Sequence, residues 1–201
     1  MKLYLTLIKN TQLILLTISI ALLAILPTWQ ALAPDTLSTT ILFSLAHTSL
    51  FFVMVIRPLA DLLPQYSFVR PLVILRKGVG VFSAAIIVSF ILSKIIMDAG
   101  GYFENLLSLN YWSLTSLAFL AHSADVAAVL LLITSNNLSK KMLGRNWKRI
   151  QKLSYVYFYA SGIYVFVSFG DTLVLGYMII VTVLTWLAYL SNKQRALLKT
   201  A

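Results

Sequence analysis

The chain has 201 residues, 60% of them hydrophobic and only 11% charged, with a formal net charge of +10. A soluble domain carries roughly 25% charged residues, so the composition excludes an ordinary soluble fold and indicates a polytopic all-α membrane protein forming one domain over residues 1–201. Having no cysteine, the chain cannot by itself hold thiolate zinc, iron–sulfur clusters, disulfides or a cysteine nucleophile, and its excess of cations, which in a soluble chain would suggest nucleic acid, reads here as loop charge.

Six apolar runs follow in order, each long enough as a helix to cross a hydrocarbon core of about 30 Å. The first covers about Thr11 to Leu32, behind Lys2 and Lys9. It ends in Ala31-Leu32-Ala33, a spelling shared with signal-peptide cleavage sites, but it is longer than a usual signal core, so a retained helix is expected. Pro34-Asp35 is a polar turn. The second run, Ser38 to Ile56, is expected to stop at Arg57-Pro58, because proline does not continue a helix comfortably. An amphipathic loop with Asp61, Pro64, Arg70, Pro71, Arg76 and Lys77 follows, suited to the membrane surface.

The third run spans Gly78 to Met97. A slightly acidic loop, Asp98 to Tyr111, contains Gly100-Gly101 and Glu104. The fourth run, Trp112 to Ser135, leads into the densest basic cluster of the chain: Lys140, Lys141, Arg145, Lys148, Arg149 and Lys152, with Trp147 among them. The fifth covers Lys152 to Phe169, Gly170-Asp171 makes a tight turn, and the sixth covers Thr172 to Leu190. With six spans, 15 of the 16 Lys and Arg residues fall on one face, the exception being Lys94. Asp35, Asp98, Glu104 and Asp171 fall on the other. This asymmetry predicts a multi-pass protein of a bacterial-type inner membrane with both termini cytoplasmic.

A set of short patterns lies around the basic cluster: Thr134-Ser135, Leu143-Gly144, Trp147-Lys148-Arg149-Ile150, Lys152-Leu153 and Tyr155. Arg76-Lys77 followed by Gly80, and Pro58-Leu59, accompany them. In these residues the chain resembles the ferric-reductase-like transmembrane domain, nearest the MsrQ/YedZ type of haem-bearing membrane subunits. The resemblance covers about Ile56 to Phe169, and the span pattern extends it to a core of about residues 38–190, with spans two to five as the bundle. It implies a membrane electron-transfer subunit in which histidines of the third and fifth spans grip b-type haem. Here those positions carry Phe90, Gln151 and Tyr164, none of them histidine. Glutamine and phenylalanine cannot act as strong iron ligands, and one tyrosine does not make a bis-ligated haem. The resemblance therefore leads to altered or lost haem binding, with haem b as the only cofactor in question.

Two histidines are present, His47 and His122. Counted from the expected helix starts, both lie about 15 Å inside the membrane. Spans two and four would be diagonal in the bundle, so one haem between the two imidazoles is one reading. Two buried, hydrogen-bonded side chains are another. Asp125 lies one turn from His122, where a carboxylate can orient the ring. Proton or ion handling by this pair is a third reading, because an intramembrane ionisable group is costly. The expected functions are thus an electron-transfer subunit with altered haem binding, a haem-free structural or assembly subunit, or a small proton- or ion-handling transporter. The expected partners are membrane lipid, which the basic cluster would face, and a soluble or membrane redox partner, of which an acidic soluble one could dock on the same cations. Neither a Walker motif, a dinucleotide fingerprint nor a zinc-protease motif occurs, so any electrons come from another chain.

Overall fold

In the computed structural model, residues 2–33, 36–113 and 116–200 are described, the side chains of 36–38, 199 and 200 excepted. The expected turn at Pro34-Asp35 lies outside these residues. The chain forms ten helices in the described regions: α1 (Lys2–Leu32), α2 (Thr36–Leu62), α3 (Val69–Leu72), α4 (Leu75–Met97), α5 (Ala99–Leu107), α6 (Leu117–Thr134), α7 (Asn137–Leu143), α8 (Arg145–Ile150), α9 (Leu153–Phe169) and α10 (Thr172–Thr200). Five segments are long and apolar enough to cross a membrane: α1, α2, Val69–Met97, α6 and α10. The polarity is that of a lipid-solvated bundle. Leu13, Ile20, Ile133 and Trp186 are each at least 60% exposed, while Ser19, Ser83 and Ser89 are fully buried.

That inversion follows from the solvent. Lipid offers no reward for hiding leucine, so close approach of small residues and satisfied hydroxyls holds helices together instead. Ser83 of α4 donates to the Ala46 carbonyl of α2 at 2.9 Å and shares a hydrogen bond with Tyr157 of α9 at 3.2 Å. Ser89 and Ser161 return their hydroxyls to carbonyls of their own helices. Gly78 of α4 lies against the Gln12 backbone of α1, where a methyl group would stand 3.3 Å from Cα. Gly162 of α9 lies against Met178 of α10 in the same manner. The principal packing pairs are α1 with α4, α2 with α4 and α10, and α6 with α4 and α9. The common core joins Leu50 and Met54 of α2, Ile86 and Ile91 of α4, Ala127 and Ala128 of α6, Tyr157 and Phe158 of α9, and Val181 of α10.

Contacts set the ends of the bundle. Tyr4 near the start of α1 donates to the Phe68 carbonyl at 2.9 Å, and Arg195 near the end of α10 donates to the Asp61 carbonyl at 2.9 Å. The beginning of α1, the end of α2, the beginning of α4 and the end of α10 therefore meet at one end, which is the basic end.

Several boundaries differ from the sequence reading. Helix α1 begins at Lys2 rather than Thr11. Helix α2 does not stop at Ile56 but runs through Pro58 to Leu62. Proline removes one backbone donor, yet its fixed φ is close to helical, and the ion pair from Arg57 Nε to Asp61 Oδ2 at 3.1 Å spans the turn that follows. The expected loop Asp98–Tyr111 contains α5, whose first turn is capped by Asp98 Oδ1 accepting from Gly101 N at 2.9 Å. Helix α6 starts at Leu117 and not at Trp112, because Ser116 takes the N-cap and accepts from Ala118 N at 3.1 Å. The basic connection is not an open loop but the pair α7 and α8. They are joined at Gly144, which holds φ +49°, a conformation that suits glycine. Helix α10 continues beyond Leu190 to Thr200. The expected turn at Gly170-Asp171 is present, with Gly170 left-handed and Asp171 Oδ1 capping α10 through Leu173 N at 3.0 Å.

Candidate functional site

His47 sits eleven residues into α2 and is 7% exposed. Its Nδ1 donates to the Phe43 carbonyl one turn back at 2.9 Å. That bond assigns the tautomer and leaves Nε2 as a buried acceptor without a partner among the described residues. The ring lies next to α9, close enough for the Ser161 backbone to act on it. His122 sits only five residues into α6. The later start of α6 moves it from about 15 Å to about 7.5 Å of axial rise from the helix end. It belongs to an aromatic corner at the end of the bundle opposite the basic one. Its ring centroid is 5.1 Å from that of Tyr111 and 5.9 Å from that of Trp112. Both of its ring nitrogens are buried without a hydrogen bond among the described residues.

The structure does not join His122 to Asp125 by a hydrogen bond, so the expected carboxylate–imidazole pair is a shared face and not a contact. The charge that reaches both is that of exposed Lys94 on α4. Tyr102 of α5 completes this polar corner. Half-burial, reinforced by the Asp125 carboxylate, holds its phenol above the ordinary range. Among the described residues, no three His, Asp or Glu side chains converge as a metal site.

A bis-imidazole haem needs two ring nitrogens facing each other across one iron, with a flat space between them. The helices that carry His47 and His122 do not form a packing pair: α4 and α9 stand between them. Ile86, Ile87, Tyr157 and Phe158 fill that interior. The residues present do not fit a haem held by this pair.

The three positions where the resemblance places haem histidines all have structural work. Phe90 of α4 stacks on Phe43 of α2, with centroids 4.3 Å apart and planes 11° from parallel. Tyr164 of α9 packs edge-on against Phe169 at 6.3 Å. Gln151, which ends α8, turns its Nε2 toward Thr134 Oγ1 at 3.4 Å.

Gln151 belongs to a polar construction around Trp147, which sequence reading treated as loop charge. The indole Nε1 of Trp147 donates to the Thr134 carbonyl at 2.9 Å, satisfying one of the orphan carbonyls at the end of α6. Asn136 accepts from Ser139 N at 2.7 Å and donates to the Ile133 carbonyl at 2.7 Å. Lys140 Nζ lies 5.3 Å from the centre of the Trp147 ring, within cation–π range. Folded back in this way, α8 closes one side of a cavity of about 460 Å³ between α2, α4, α6 and α9. Arg76, Lys77, Lys148 and Gln151 stand among its walls. A second cavity of about 670 Å³, with Arg70 and Arg195 in its walls, shares Arg57 and Val73 with the first. The repeated basic residues were visible in the sequence; that they surround space was not, because the α7–α8 fold depends on contacts thirteen and seventeen residues apart.

Compared with models of protein families, with curated proteins and with solved structures, the chain matches none.

Proposed function

We propose that this chain is a haem-free structural or assembly subunit of a membrane complex, built on the frame of a ferric-reductase-like transmembrane domain. The stack of Phe43 on Phe90 carries this reading. Phe43 of the neighbouring helix packs on Phe90, the position for which the resemblance implies a haem histidine. Gln151 supports it through its contact with Thr134 at the end of α6, and Tyr164 packs on Phe169 within its own helix.

In this reading α9 is the sixth span. Its 17 residues rise about 25 Å, at the short limit of what crosses a bilayer, and α8 extends it into the headgroup region. Both termini then lie on the cytoplasmic side of a bacterial-type inner membrane, as the concentration of Lys and Arg at one end favours. A reduced-minus-oxidised spectrum of the purified protein from haem-replete cells tests the proposal. A flat spectrum is expected; a Soret and α band that scale with protein would overturn it.

The corner formed by Lys94, His122 and Asp125 favours a second reading, proton or ion handling. Two buried ring nitrogens without a hydrogen bond among the described residues, on the same helix face as a carboxylate, suit a proton-handling site. Loss of proton- or ion-coupled flux in Asp125→Asn proteoliposomes would support it. Wild-type vesicles that carry no such flux would eliminate it.

A further inference from the structure

The cavity walled by α8 has a polarity gradient along α2, α4 and α6. On α2, Arg57 stands in the last two turns of the helix, with Val53 and Leu50 one and two turns deeper on the same face. On α6, Ser135 stands at the end and Leu131 one turn deeper. On α4, Lys77 precedes Gly80 and Val81. Cations thus ring the end of the bundle and apolar side chains line the floor. Water-soluble anions have no use for such a floor; an amphiphile uses both parts.

The geometry points to an anionic phospholipid, with its headgroup phosphate held between Arg76, Lys77 and Lys148 and the start of its acyl chain against Val53, Leu50 and Leu131. Three observations support this. First, the cavity of about 460 Å³ lies in the range of small-molecule sites, roughly 300–1,000 Å³. Second, Arg76 is pre-positioned: its Nε donates to the Val53 carbonyl at 3.0 Å, which fixes the guanidinium while its two terminal amino groups have no hydrogen bond among the described residues. Such a fork suits a phosphate. Third, the acid beside the cavity, Asp61, forms its ion pair with Arg57 at 3.1 Å; its charge reaches Arg76, but among the described residues no ion pair joins it to Arg76, Lys77 or Lys148. Basic pockets between membrane helices on the cytoplasmic side are suited to phosphate headgroups. The adjoining cavity, with Arg70 and Arg195 in its walls, extends the basic surface beside this site.

The test is native mass spectrometry of the full-length protein in neutral detergent, titrated with phosphatidylglycerol, phosphatidylcholine or inorganic phosphate. Phosphatidylglycerol is expected to bind in preference to phosphatidylcholine. Arg76→Gln should weaken it by about tenfold, the loss expected when a charge-assisted phosphate contact is removed. The double variant Lys77→Gln/Lys148→Gln should do the same. It leaves the Arg76–Val53 anchor intact, so it decides the matter if Arg76→Gln does not fold. Lys141→Gln/Arg145→Gln removes as much charge from the same basic segment but away from the cavity walls, and should leave binding unchanged. An equal loss in this control pair would assign the attraction to diffuse surface charge and overturn the proposal. So would equal binding of phosphatidylcholine. Displacement of phosphatidylglycerol by millimolar inorganic phosphate would make the site one for free phosphate and overturn the lipid.

Discussion

Trp147 Nε1 donates to the carbonyl oxygen of Thr134 at 2.9 Å, tying the basic connection to the end of a membrane helix. The bond changes how this tryptophan is understood. An interfacial tryptophan anchors a helix in lipid; this one closes the end of α6 and places α8 beside the cavity. Trp147→Phe keeps the ring and removes the donor. It should lower stability by about 1 kcal/mol, the net worth of one hydrogen bond, seen as a lower thermal midpoint in detergent. An unchanged midpoint would mean that the indole serves the interface alone.

The Ser83–Tyr157 pair predicts an asymmetry. Ser83→Ala strands the buried phenol of Tyr157 without its partner and also deletes the bond to Ala46. Tyr157→Phe removes the phenol hydroxyl and leaves Ser83 bonded to Ala46. Stranding a buried polar group costs about 1–3 kcal/mol, whereas removing it costs less. Ser83→Ala should therefore unfold at clearly lower denaturant than Tyr157→Phe. The reverse order would contradict the network.

Gly101 lies against the cap of α5. A Cβ there would meet Asp98 Oδ2 and displace the carboxylate that caps α5. Gly101→Ala should cost about 1 kcal/mol, the loss of one helix cap, and Asp98→Ala should cost a similar amount. The double variant should be little worse than either single one, because both remove the same cap. Additive losses would contradict that view.

Tyr102 gives the polar corner a pH signature. Burial, and then the nearby Asp125 carboxylate, raise its phenol above the ordinary value of 10.0. The folded state thus holds this proton more tightly than the unfolded chain. Its contribution is present in full below pH 10.0 and declines as the pH rises through the higher folded value. Tyr102→Phe should flatten the alkaline fall in stability relative to wild type. Parallel pH profiles would refute the assignment.

The apolar runs made five membrane-length helices legible in the sequence, because length and hydropathy are local properties. Where local rules compete with capping or tertiary contacts, they misplaced boundaries. Pro58 reads as a stop, yet the helix passes it. Trp112 begins an apolar run, yet Ser116 caps the helix four residues later. That shift moved His122 toward the end of α6, and the intervening α4 and α9 then separated it from His47. The two histidines lie at one depth only if His122 is counted from Trp112; His47 keeps the depth expected of it. The basic cluster was legible as charge, but its role as a cavity wall was not. The folding back of α7 and α8 rests on Gly144, Asn136 and Trp147 acting together, and no single residue in the string announces it.

The central claim is that this bundle serves the membrane without haem. Pyridine extraction of purified protein, with haem measured per polypeptide for wild type and His47→Ala, tests it most directly. The account predicts far less than one haem per chain in wild type and no change in the variant. About one haem per wild-type chain, lost in His47→Ala, would contradict it.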